Sequence, residues 1–121
     1  MSELKYFKLS EFDSPDLPGS GKNMNPETLA MLDHARDIAG VPFRINSGYR
    51  TKAHNTKIKG VPNSSHTKGY AADIHAPDGA NKARILEGLV KAGFKRLGVY
   101  EGFIHVDNDP ELPTPQLWTK R

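Results

Sequence analysis

The stretch SSHTKGYAAD, residues 64–73, sets His66 and Asp73 seven positions apart in a run of small and polar residues. A second histidine, His105, follows in FIHVD. Two imidazoles and one carboxylate suit zinc at a catalytic site, where three protein ligands leave the fourth tetrahedral position to water. The chain has no cysteine, so thiolate metal sites and a disulfide framework are both excluded, and a metal must be held by His, Asp or Glu. The plainer alternative is a turn leading into a half-buried strand, because a lone histidine on a strand is ordinarily a satisfied or exposed polar residue. Of the five histidines, His34 in a helical stretch and His54 in the polar AHN segment keep that plainer reading.

Alternation decides which of these groups can meet. Side chains on a strand point to opposite faces with period two. In YAADIHA (70–76), Ala71, Asp73 and His75 share one face; in FIHVD (103–107), Phe103, His105 and Asp107 share one face. Ile104 and Val106 then face a core, which leaves Asp73, His75, His105 and Asp107 to converge across a shallow groove. His66 enters from the preceding loop, with Gly69 making a tight turn.

The elements that must carry this arrangement are short. Asn25-Pro26-Glu27 is a helix start, and apolar residues at helical spacing up to Gly40 predict a helix over 26–39. VPFRIN (41–46) reads as a short strand, 51–58 as a short helix, and 70–76 as a second strand. Residues 80–92 read as a helix with Ile85, Leu86, Leu89 and Val90 on its apolar face and Gly93 as its stop. RLGVY and FIHVD are two strands about Glu101-Gly102, a hairpin signal. Residues 1–24 read as a long ordered loop, and the proline-rich tail DPELPTPQLW as extended surface chain docked by Trp118. The expected architecture is α+β, one domain over 1–121, with helices on one face of a small, mostly antiparallel sheet.

Composition narrows the function classes. Hydrophobic residues are 36% and charged residues 26% of the 121, as in a globular domain. No stretch approaches the roughly 20 apolar residues of a membrane span. MSELKYFKLSEF has no apolar core or cleavage site of a secretory signal. A protein made in the cytoplasm and working outside it would have to reach its site through lysis, a holin-type pore or a carrier particle. The net charge of +3 is spread along the chain without a basic stripe interleaved with aromatics, so a nucleic-acid partner is not expected.

Three separated motifs carry the reading further. Ser64-x-His66-x-x-Gly69-x-Ala71-x-Asp73 matches an SxHxxGxAxD signature, with SGYRT (47–51) upstream and GVYEGFIHVD (98–107) downstream in the same order. In these the chain resembles the zinc D-Ala-D-Ala metallopeptidase family, most closely its small single-domain members of phages and bacteria. The opening YFKLSEFDSPDLPGSG is similar to the same subset. The resemblance implies a hedgehog-like sheet with Zn2+ held on its open face by His66, Asp73 and His105, and Arg50 near the substrate. It also implies peptidoglycan peptides as the partner, cut by a D,D-carboxypeptidase or endopeptidase, a phage-type endolysin included. A multi-donor guanidinium suits a tetrahedral oxyanion or a substrate carboxylate. Ser64 fits a loop or substrate hydrogen-bonding role, and His75 a substrate contact or a structural one. A monomer is expected.

The chain departs from that family at the proton acceptor. Better-known relatives carry Glu three residues, or His two residues, before the last ligand; here those positions are Gly102 and Phe103. Asp107 is the first candidate for general base and Glu101 the second. Asp107 alternatively accepts the second ring N–H of a ligand histidine and fixes its tautomer. The missing acceptor keeps open a catalytically inactive, zinc-containing peptidoglycan-binding module. A basic nucleic-acid binder would explain the charge but none of the motifs.

Overall fold

The computed structural model describes residues 4–120. Residues 1–3 and 121, which the expected domain 1–121 and loop 1–24 include, lie outside the described residues. Helix α1 (Pro26–Ala39) starts where the sequence predicts: the Asn25 side chain accepts the Thr28 N–H at 3.0 Å, and Gly40 closes the helix. Helix α3 (Gly79–Lys91) begins one residue before the expected 80, because the Asp78 side chain caps it by accepting the Asn81 N–H at 2.8 Å. Ile85 and Leu89 are buried as expected, whereas Val90 turns outward and is 53% exposed. The short helix α2 (Lys52–Lys57) is capped by Thr51.

Five strands form one sheet in the order β1-β2-β4-β3-β5. Strand β1 (Ile45–Ser47) is shorter and later than the expected 41–46. Pro42 has no N–H to give a ladder, and Phe43 is buried in the core, so pairing begins at Ile45. Strands β2 (Ala71–His75) and β4 (Phe103–Asp107) pair antiparallel and set Asp73 directly opposite His105. Strand β3 (Arg96–Val99) pairs antiparallel with β4 on its other side. Their connection is closed by the Tyr100 N–H donating to the Phe103 carbonyl at 2.9 Å.

The tail is extended, as the prolines imply, and it is more than surface chain. Gln116–Thr119 forms β5, an edge strand parallel to β3. Residues 108–115 carry the chain back along the sheet, so it enters alongside β3 in the same direction and pairs with that strand's free edge.

Ala72, Ile74, Ile104 and Val106 are fully buried and share one core with Leu29 and Leu32 of α1 and Ile85 and Leu89 of α3. Removing a large aliphatic side chain from water in this way contributes about 1.5–3 kcal/mol each. The N-terminal loop is ordered around two 3-10 turns, Leu9–Phe12 and Ser20–Asn23, and adds Phe7, Phe12 and Met24 to the same core. With one sheet face sealed by helices, the alternate residues Asp73 and His105 stand on the other.

Candidate metal centre

His66 is delivered by a 3-10 turn, Ser65–Lys68. Ser64 caps that turn by accepting the His66 backbone N–H at 3.2 Å. Gly69 ends it at φ +82°, a left-handed conformation that glycine adopts without strain. A Cβ there would also lie 2.4 Å from the Asn23 carbonyl oxygen, so the turn that spaces His66 from Asp73 requires glycine twice over.

The three expected ligands converge. His66, Asp73 and His105 each offer an atom within 4.8 Å of the others. The His66 Nδ1–H donates to the Gly48 carbonyl at 2.8 Å, which leaves Nε2 facing Asp73 Oδ1 at 3.3 Å. His105 turns the other way round: Nε2–H donates to Asp107 Oδ2 at 2.8 Å, and Nδ1 lies 3.0 Å from the same Asp73 oxygen. Ligands bound tetrahedrally to zinc at about 2.0–2.1 Å stand about 3.3 Å apart. The two separations are short enough for one metal ion to be shared by these atoms, and each imidazole has its second nitrogen held by an acceptor, as metal-ligating histidines have.

The charges point the same way. Burial disfavours the Asp73 carboxylate, but hydrogen bonds and charge from His105 and His66 outweigh it and hold its carboxyl well below the usual range. Burial likewise opposes charge on His105, yet the flanking Asp107 and Asp73 carboxylates raise it to about 9. A site with two carboxylates around one imidazole holds a proton at neutral pH when no other cation is there. A divalent cation held by these residues would displace that proton.

Arg50 borders the same centre. Its guanidinium donates to Ser47 Oγ at 3.1 Å, Asn55 Oδ1 at 3.1 Å and Asp73 Oδ2 at 3.4 Å, so Asp73 gives one oxygen to Arg50 and the other to the ligand cluster. Burial lowers the Arg50 pKa and Asp73 raises it again; guanidinium remains charged at neutral pH. All four groups line an open cleft of about 670 Å³.

The expected proton acceptors are placed differently. Asp107 is on the predicted face but only 1% exposed, and both oxygens are engaged. Oδ1 accepts from Arg96 Nε at 2.9 Å and the Asp109 N–H at 3.2 Å, while Oδ2 accepts from His105. Glu101 is exposed at the hairpin tip and does not line the cleft. His75 is exposed further along β2 and is also outside the cleft lining. Ser64 lines the cleft with its oxygen committed to the cap.

Several contributors escaped the sequence reading. Arg96 sits opposite Asp107 in the β3–β4 register, a partnership that the hairpin signal could have disclosed. Asp109 is 1% exposed and binds Ser65 Oγ and Lys68 Nζ, each at 2.7 Å, tying the His66 turn to the chain after β4. Tyr100 and Trp118 line the cleft through contacts made across the sheet, for which the sequence carries no signal.

Comparison with known proteins agrees with this geometry. No individually curated protein matches the chain. A family profile described as Peptidase M15 matches residues 5–107, which include Arg50, His66, Asp73 and His105. The chain belongs to the peptidase M15 family, a family of metal-dependent enzymes, and its His66–Asp73–His105 group could hold a metal ion.

Proposed function

We propose that the chain is a zinc-dependent peptidase that hydrolyses a peptide bond in peptidoglycan stem peptides or crosslinks, as a D,D-carboxypeptidase or endopeptidase. The observation that carries the proposal is the convergence of His66 Nε2, Asp73 Oδ1 and His105 Nδ1 beside Arg50 in one open cleft. His66, Asp73 and His105 are the residues that would hold the zinc ion, which supplies Lewis-acid polarisation of a carbonyl and water of near-neutral pKa.

The protein's own groups do the rest. Gly48 and Asp107 each engage one ring nitrogen, so that the other nitrogen of each imidazole faces Asp73. Arg50, held by Ser47 and Asn55, presents a fixed positive charge to the oxyanion or to a substrate carboxylate. Its position is maintained before substrate arrives, so little reorganisation is needed during reaction. Asp107 is assigned the orienting role rather than proton acceptance, since its oxygens already accept three hydrogen bonds.

The described residues share one core, which supports reading 1–121 as a single catalytic domain; that it acts as a monomer is part of the proposal. Among them no helix is long and apolar enough to cross a membrane. Delivery to the bacterial wall by lysis, a holin-type pore or a carrier is part of this proposal.

The second reading, a zinc-containing peptidoglycan-binding module without catalysis, is favoured by one observation: neither Asp107 nor Glu101 offers a free carboxylate in the cleft. Purified protein incubated with sacculi, with and without chelator, separates the two. Chelator-sensitive release of new amino termini, read by mass spectrometry, supports the peptidase. Zinc binding with no cleavage would establish the module instead.

A further inference from the structure

Part of the cleft wall is built from aromatic side chains that the ligand set does not require. Tyr100 lines the cleft with Phe103 and Trp118. Its ring stacks on Phe103 with centroids 4.5 Å apart and planes 5° from parallel. Its Oη accepts the Trp118 Nε1–H at 3.1 Å. Trp118 is itself seated closely: a Cβ on Gly98 would come within 2.3 Å of Nε1, so the indole rests where that side chain would be. Gly98 is the β3 residue opposite His105, and the Trp118 ring lies 5.7 Å from the His105 ring. The Arg96 guanidinium covers the indole at 5.3 Å. Trp118 therefore spans the distance from an imidazole of the metal centre to the Tyr100 hydroxyl.

This leaves the phenol held but chemically unspent. Stacking fixes the ring, and the indole occupies one of two lone pairs on the oxygen. A hydroxyl has one proton to donate, and that of Tyr100 has no acceptor among the described residues. An N–H donated into a hydroxyl oxygen polarises its O–H and strengthens it as a donor.

We propose that Tyr100 is a further catalytic residue, whose O–H donates to the carbonyl oxygen of the scissile peptide as negative charge develops there. This rests on the peptidase reading above. The phenol stays neutral throughout; it contributes a hydrogen bond that is stronger in the transition state than in the bound substrate, so its effect falls on kcat. Trp118 positions it. Trp118 lies beyond residues 5–107, so the C-terminal strand of this chain is part of the catalytic unit rather than an appendage to it.

The test compares the full-length, zinc-loaded wild type with Tyr100→Phe. Substrates are a pentapeptide muropeptide and a crosslinked muropeptide dimer. Binding of a phosphinate D-Ala-D-Ala analogue, a tetrahedral anion, and zinc affinity by chelator competition are measured in parallel. Removing one such donor lowers kcat roughly a hundredfold, with KM nearly unchanged, phosphinate affinity reduced by a similar factor, and zinc affinity retained. Trp118→Phe, which keeps a ring over Gly98 but lacks the N–H, falls between the two on kcat and phosphinate binding. Wild-type kcat and phosphinate affinity in Tyr100→Phe would overturn the proposal and leave the peptidase reading intact. Loss of zinc affinity in that variant would also overturn it, since Tyr100 would then be supporting the metal centre. A wild type that takes zinc but cleaves neither substrate overturns the peptidase reading, and this proposal with it.

Discussion

Replacing Asp107 by asparagine keeps the shape of the side chain and removes its charge. In the folded protein Oδ1 accepts from Arg96 and the Asp109 N–H, and Oδ2 accepts from His105 Nε2–H. An amide has one acceptor oxygen and one donor nitrogen. In either orientation Asp107→Asn therefore sets an NH2 group against an N–H that the carboxylate accepted. If the oxygen stays with Arg96, the His105 ring loses its acceptor and is free to take the wrong tautomer. Losing a group of this kind behind a metal-ligating histidine lowers metal affinity about 10- to 100-fold, equivalent to about 1.4–2.7 kcal/mol. The assay is zinc affinity by competition with a chromogenic chelator, followed by muropeptide cleavage at saturating zinc. An orienting Asp107 predicts weaker zinc binding, with most of the turnover restored once zinc saturates. Unchanged zinc affinity together with abolished turnover at saturation would refute the orienting role and return Asp107 to proton acceptance.

Four further outcomes follow from the same geometry. Zinc affinity rises about tenfold per pH unit between pH 6.5 and 9, because binding displaces the proton that Asp107 and Asp73 hold on His105 up to about pH 9; pH-dependent chelator competition measures the slope, and a flat profile would contradict it. The metal-free protein shows the opposite sign: the raised His105 pKa contributes stability that is fully present below its unfolded value of 6.5 and lost as pH rises through about 9, readable as a falling melting temperature over that interval. Arg50→Lys cannot reproduce the simultaneous contacts to Ser47, Asn55 and Asp73, and kcat/KM falls about 10²- to 10³-fold with zinc affinity maintained. Gly69→Ala at φ +82° costs about 1–2 kcal/mol in backbone conformation alone, with more from the 2.4 Å approach to Asn23; thermal unfolding below the wild-type midpoint checks it.

Local features were legible wherever the causes were local. The Asn25 cap, Pro26 and Gly40 bound α1 in the chain as they do in the fold, since capping depends on residues within one turn. Period-two alternation put Ile104 and Val106 in the core and His105 on the open face, because a strand has no other way to direct its side chains. Strand β1 was misplaced because Val41, Phe43 and Ile45 alternate like a strand, while Phe43 satisfies its hydrophobicity in the core without a ladder. The parallel pairing of β5 was hidden for a different reason: prolines announce extended chain but say nothing about which edge will receive it.

The sequence by itself determined the chemistry available to the site: no thiolate, two histidines and an aspartate at strand-compatible positions, and an arginine motif upstream. Tertiary structure decided which nitrogen of each histidine is turned toward Asp73. That choice depends on the Gly48 carbonyl and the Asp107 carboxylate, groups 18 residues away in one case and two in the other, and on Arg96 across the hairpin to fix Asp107 in turn. It also decided that Asp107, spaced in the sequence like a base, is buried and engaged, and that the Tyr100 hydroxyl accepts from Trp118 while keeping its own proton. Residue type and spacing set what a side chain can donate or accept. Only the surrounding fold sets what has already been used.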